Sequence, residues 1–200
     1  MVPFLKKRLT RFRRDEGGSI AAEAALMFPL LLWTVLASYV YFEAFRNQSV
    51  NTKAAYTISD ALSRETEMID NTYLTSLWRL HEFLTNSAHD TGIRVTVVEF
   101  DGGDPEVQGD EEYLVSWSRE KGDTHGSFDI DLIEDSLPVM PDGETVIVVQ
   151  TWVVHEPVFS VGLDAFEFED FVVTRPRFAP NGICYSHNGS IAGRICPVDS

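Results

Sequence analysis

The chain is poor in cysteine, poor in positive charge beyond its first 18 residues, and empty of the short motifs that carry chemistry. Its 200 residues hold only two cysteines, too few for a disulfide-dense scaffold or a cysteine-rich zinc module. No phosphate-binding glycine loop, nucleophile elbow or metal-helix motif occurs. Asp129-Ile130-Asp131 lacks the glycine and ligand spacing of a calcium loop, and a solvated acidic face is the expected reading. His81 and His89 stand without a cysteine or carboxylate pattern that would complete a metal site. Asp164, Glu167, Glu169 and Asp170 lie on or beside one expected strand, and no second carboxylate across a cleft is indicated for glycosidase chemistry. The sequence therefore predicts no enzyme, no cofactor and no bound metal.

Net positive charge is confined to the N-terminal end. Lys6, Lys7, Arg8, Arg11, Arg13 and Arg14 against Asp15 and Glu16 give residues 1–18 a net +4, while the remaining 10 basic and 29 acidic residues give −19. Phosphate repels such a body, which argues against nucleic-acid binding. A basic head on an acidic body suits a chain whose two parts meet different surroundings. A hydrophobic fraction of 44% excludes a disordered chain.

The one long apolar run is residues 24–42, 19 positions without a charge. Counted from Ser19 the stretch is 24 residues, about 36 Å as a helix, enough to cross a hydrocarbon core of about 30 Å with some tilt. Tyr39, Tyr41 and Phe42 fall where the far interface is expected. The basic residues ahead of the span place the N-terminus in the cytoplasm and the bulk of the chain outside. Two other readings stay open. A buried core helix is one, although the run is long for it. A cleaved secretory signal is the other, with Val35-Leu36-Ala37 offering small residues before a cut at Ser38; against it, the apolar character continues through Phe42.

Glu23 lies just inside this run. An acidic side chain costs up to about 2.5–3.5 kcal/mol at mid-bilayer and less near the interface. It either reaches the headgroups or Arg13 and Arg14, or it has a dedicated partner. A cut after Gly18 would supply that partner, because Ser19 would carry a new ammonium four residues from Glu23, on the same helix face. Pairing between neighbouring chains would offset adjacent helices by about 6 Å, so the ion pair would select register more than it adds stability.

Basic leader, Gly18, four small or apolar residues, Glu23 and an apolar helix containing Pro29 form the layout of type IV prepilins. The chain as a whole resembles the TadE-like pseudopilins of bacterial Flp (Tad) pilus systems. Residues 17–32 carry most of the likeness, and Thr174-Arg175-Pro176-Arg177 closing a later strand is also similar. The resemblance implies that Gly18 and Ser19 form the site of an inner-membrane prepilin peptidase, and that Glu23 serves processing or assembly. It also implies that the partners are other pilins or pseudopilins and membrane lipid. One departure is that Ala24 follows the glutamate, where Flp-type prepilins usually carry an aromatic residue. Pro29 is expected to kink or locally melt the helix.

The rest of the sequence predicts an α+β body. Ala44, Phe45, Val50, Ala54, Ala55, Ile58 and Leu62 extend the membrane helix as an amphipathic stalk. Ile69, Tyr73, Leu77, Leu80 and Leu84 outline a second helix within residues 43–90. An antiparallel sheet of about four strands follows in residues 91–180, at 93–100, 112–119, 145–155 and 166–175. Tyr113, Val115 and Trp117 alternate onto one face, and Asp129 is expected to cap a short helix through Leu137. Residues 181–200 form a terminal loop. There Cys184 and Cys196, with 11 residues between them, are expected to pair if this part lies outside the cytoplasm. The function expected is a minor pilin or pseudopilin in Flp-type pilus assembly. The alternative is an uncleaved single-span anchor for a periplasmic binding module.

Overall fold

A computed structural model describes residues 19–197 apart from 67, 88, 104–110, 127, 160 and 180. The chain is α+β. It consists of helix α1 (Ser19–Ser63), β1 (Ile69–Asp70), α2 (Asn71–Thr85), β2 (Thr91–Asp101), β3 (Glu112–Gly122), β4 (Thr145–His155), β5 (Phe166–Thr174) and β6 (Tyr185–Ser186). It divides into two compact units. One joins the N-terminal part of α1, through Glu43, to Pro157–Leu163. The other comprises Ala44–Glu156 and Asp164–Ser200.

In the larger unit four antiparallel strands run in the order β3-β2-β4-β5. The two central strands are buried almost throughout. They are rich in valine, isoleucine and threonine, which pack well on a pleated surface covered on both sides. On one face Ile93, Val95, Val97, Ile147 and Val149 meet Ile58 and Leu62 of α1 and Leu74 and Leu77 of α2. Fully burying one such side chain contributes about 1.5–3 kcal/mol. On the other face Val98, Val146 and Val148 are covered by Leu137 and Met140. β1 and β6 form a short parallel ladder, pairing Ile69 with Tyr185.

Three local expectations are corrected. First, Tyr113 and Trp117 belong to opposite faces of the sheet. Trp117 packs in the cluster with α1 and α2, and Tyr113 packs beside Val98 and Phe100. Val97 pairs with Trp117 but Val98 pairs with Val115, so Ser116 is an extra residue in β3. A bulge of one residue inverts the alternation beyond it. Second, the buried line of α2 is Leu74, Leu77 and His81, and Ile69 lies outside the helix. The helix starts late because Asp70 caps it, accepting from the Tyr73 amide at 2.7 Å. It stops at Asn86, which adopts a left-handed conformation with φ 47° and donates to the Glu82 carbonyl at 2.9 Å. Third, residues 129–137 form two short 3-10 turns, Ile130–Leu132 and Glu134–Ser136. Asp129 caps the first by accepting from the Asp131 amide. Closely spaced Asp and Ser favour such local bonds over a continued α-helix.

The expected stalk is also more than an extension. Ala44, Asn51, Ala54, Ala55, Ile58 and Leu62 fall on one helical stripe and are all buried, whereas Phe45 is exposed.

Candidate functional site

The sequence-predicted residues Glu23 and Pro29 both lie in the N-terminal part of α1. The described helix begins at Ser19, and Glu23 stands one turn further on, on the same face. Gly18 and the basic leader lie outside the described residues. From Ile20 to Val35 every residue is exposed, including Leu26, Phe28, Leu30, Leu31, Leu32 and Trp33. A core helix of a soluble protein is covered by its own chain, and this one is not. It is the one helix among the described residues long and apolar enough to cross a membrane. The helix runs through Pro29 without a break in its assignment. Thr34 and Ser38 turn their hydroxyls back to the carbonyls of Leu30 and Thr34, each at 2.8 Å, which satisfies them within the helix itself.

In the larger unit α1 meets α2, β4 and β5 through a polar seam that apolar patterning missed. Asn51 is fully buried. Its amide nitrogen donates to Asp170 Oδ2 at 2.6 Å, leaving its Oδ1 to accept from His81 Nε2 at 2.8 Å and from Thr151 Oγ1 at 3.3 Å. Thr52 Oγ1 donates to the other Asp170 oxygen at 2.7 Å. This network assigns the proton of His81 to Nε2 and leaves its buried Nδ1 without a hydrogen-bond partner. Burial disfavours the imidazolium and lowers the His81 pKa from 6.5 to about 4. One turn earlier, Asn47 Nδ2 donates to His155 Nδ1 at 2.9 Å. Asn47 and Asn51, spaced four apart on an alanine-rich helix face, were the available sequence signal. The seam contains no activated nucleophile, and both oxygens of its carboxylate are engaged by neutral donors. Its chemical capacity is to specify how these elements pack.

The remaining candidates are similarly occupied. On the opposite sheet face Arg94 is almost wholly buried. It pairs with Glu120 through Nε at 2.6 Å and donates to the Gly126 carbonyl at 3.0 Å, with the rings of Phe128 and Trp152 beside it. Burial lowers the Arg94 pKa and raises that of Glu167, which meets His125 at 3.2 Å. Glu169 accepts from Gln150 at 3.1 Å. The four acidic residues of the 164–170 segment therefore do not converge: Glu167, Glu169 and Asp170 each engage a different partner. His89 faces Glu156 at 3.6 Å. Among the described residues no group of three or more His, Cys, Asp or Glu side chains is placed to hold a metal ion. A surface groove of about 280 Å³ is lined by Tyr56, Ser59 and Asp60 of α1, by Val172, Val173 and Thr174 of β5, and by Arg177. Its arginine is already paired with Asp60 at 3.3 Å.

Cys184 and Cys196 form a disulfide, with their Cα atoms 4.2 Å apart. Inside the loop Tyr185 and Ile195 exchange both backbone hydrogen bonds at 2.7 Å. The Trp117 indole donates to the Ile183 carbonyl at 2.7 Å, and its ring packs 5.4 Å from that of Tyr185. The bridge thus fastens the C-terminal loop to the core beside the bulged strand.

No protein-family model, curated protein or solved structure matches the chain.

Proposed function

We propose that the protein is a minor pilin-like subunit that takes part in assembling an Flp-type (Tad) pilus. It is held in the bacterial inner membrane by α1, with its N-terminus in the cytoplasm and its acidic body in the periplasm, before it joins the fibre. It works by packing and charge, without a cofactor and without chemistry of its own. A prepilin peptidase cuts between Gly18 and Ser19, and the new ammonium meets Glu23 on its own or a neighbouring helix.

The observation that carries this reading is the division of labour along α1. From Ile20 to Val35 the helix is apolar, uncovered by the rest of the chain and marked by one acid, Glu23. Its last part is built into an α+β body. A lipid-held rod that later packs beside other rods needs an outer face that its own chain leaves free, and a charge on that face costs less where another subunit supplies its partner.

Glu23→Ala tests the proposal. The variant is expected to insert in the membrane at the normal level, and pili on the producing cells are expected to become sparse or absent. Normal piliation with the variant as the sole copy removes Glu23 from the mechanism. The alternative of an uncleaved anchor for a periplasmic binding module draws on the alanine at position 24, where Flp-type prepilins usually carry an aromatic residue.

A further inference from the structure

The smaller unit brings a second stretch of chain onto the apolar helix. Val161 and Leu163, from the segment joining β4 to β5, pack against Leu36, Ala37 and Val40 of α1. Ala37 and Val40 are buried there, in a helix that is otherwise exposed from Ile20 to Val35. The joining segment Pro157–Leu163 contains no charged residue, although Glu156 and Asp164 bound it and the chain around it is strongly acidic. Val158 is 65% exposed and Phe159 43% exposed. Gly162 turns the chain at φ 93°, where an added Cβ would meet only open space.

The position of these contacts along the helix decides what surrounds them. Glu43 is the first charge after the uncharged run. Val40 and Ala37 lie three and six residues before it, about 4.5 and 9 Å deeper along the axis. The run of residues 24–42 is about 28 Å long, close to the full hydrocarbon thickness of about 30 Å. If the segment touching Ala37 were in water, residues 19–36 would remain for the bilayer, about 27 Å and short of the hydrocarbon thickness of about 30 Å, with Glu23 inside it. A span that kept Val161 in water would draw Glu23 deeper into the hydrocarbon, at greater cost.

We propose that Pro157–Leu163 is a second lipid contact, an apolar loop seated in the outer leaflet interface beside α1, with Val158 and Phe159 inserted among the acyl chains. Its depth of about 5–10 Å matches that of interfacial apolar side chains. Continuity with the span selects lipid as the occupant. The inference rests on the membrane-anchored reading of α1 given above, and it adds a contact more than a hundred residues further along the chain.

The test uses the full chain in vesicles of phosphatidylethanolamine and phosphatidylglycerol, with one nitroxide per molecule. Both native cysteines are held in the disulfide, so an introduced cysteine is labelled alone. Val158→Cys reports the loop, Phe28→Cys the span, and Leu132→Cys an exposed site of the body. All three positions are well exposed and tolerate a label. Collision with oxygen, which partitions into lipid, is compared with collision with a water-soluble nickel chelate. The oxygen-to-nickel ratio at Val158 is expected to exceed that at Leu132 several-fold, alongside a high ratio at Phe28. A high ratio at Phe28 with a Val158 value equal to that at Leu132 overturns the loop contact and leaves the anchor standing. Protection of Val158 from both reagents means that protein covers the loop, and overturns it too. A low ratio at Phe28 contradicts the membrane span itself, and the loop contact falls with it.

Discussion

His81 Nε2 lies 2.8 Å from Asn51 Oδ1, joining two helices across 30 residues of chain at a point where both side chains are fully buried. The same asparagine holds Asp170 of β5 and accepts from Thr151 of β4. One amide therefore ties α1 to three other elements, and this packing depends on enclosing an imidazole whose charged form burial disfavours and whose Nδ1 has no hydrogen-bond partner.

That dependence predicts acid sensitivity. The folded pKa of about 4 lies below the ordinary 6.5. Between those values the unfolded chain holds a proton that the folded chain refuses, so stability rises with pH. The contribution is complete above pH 6.5 and is lost as pH falls through the window towards 4, by about 3 kcal/mol in all. Asp170, through Asn51, and His155, through Asn47, border the same seam. Replacement His81→Gln keeps a donor for Asn51 and removes the imidazole. Chemical denaturation in detergent micelles at pH 7, 5.5 and 4 is expected to show a shallower pH slope for the variant than for the native chain. Equal slopes would show that His81 does not carry the effect.

The disulfide gives a second expectation. Cys184 and Cys196 close a short loop, a separation of 12 positions, for which the loop-entropy estimate is about 3 kcal/mol. Thiol labelling of the exported protein without reductant is expected to find both cysteines blocked. Cys196→Ser is expected to lower the unfolding midpoint and to loosen Tyr185 from Trp117, with a matching change in tryptophan fluorescence. Free labelling of the native chain contradicts the bridge.

Gly122 ends β3 with φ 86°, and a Cβ there would overlap the Thr91 carbonyl and the Trp78 indole. That indole already donates to Thr91 O at 3.1 Å. Gly122→Ala is expected to destabilise the body by more than about 2 kcal/mol, combining backbone strain with a core clash. Gly126→Ala serves as the comparison. It shares φ 86° but has open space around an added Cβ, so it is expected to show the strain alone. Equal losses in thermal melts would refute the packing argument.

The sequence announced the elements well where one physical signal dominated. β4 was expected at 145–155 and occupies Thr145–His155, because a run of β-branched residues bounded by polar turns has few alternatives. The apolar helix and the cysteine pair were equally plain. What stayed hidden depended on partners distant in sequence. Ser116 is an ordinary strand residue until its bulge separates Tyr113 from Trp117. Asn47 and Asn51 fall outside the apolar pattern of the stalk, and their bonds to β4 and β5 come from residues about a hundred positions away. Val161 lies between two strands and outside any sequence pattern, and only its contact with Val40 gives it a position relative to the helix.

The central claim is that α1 enters a fibre after its leader is removed, with an ammonium on Ser19 available to Glu23. Intact-mass and N-terminal peptide analysis of the protein purified from its native membrane tests this most directly. The account predicts a mature chain starting at Ser19. A chain that starts at Met1 in every molecule contradicts it and leaves a fixed anchor, and a chain that starts at Ser38 contradicts it in favour of a secreted body.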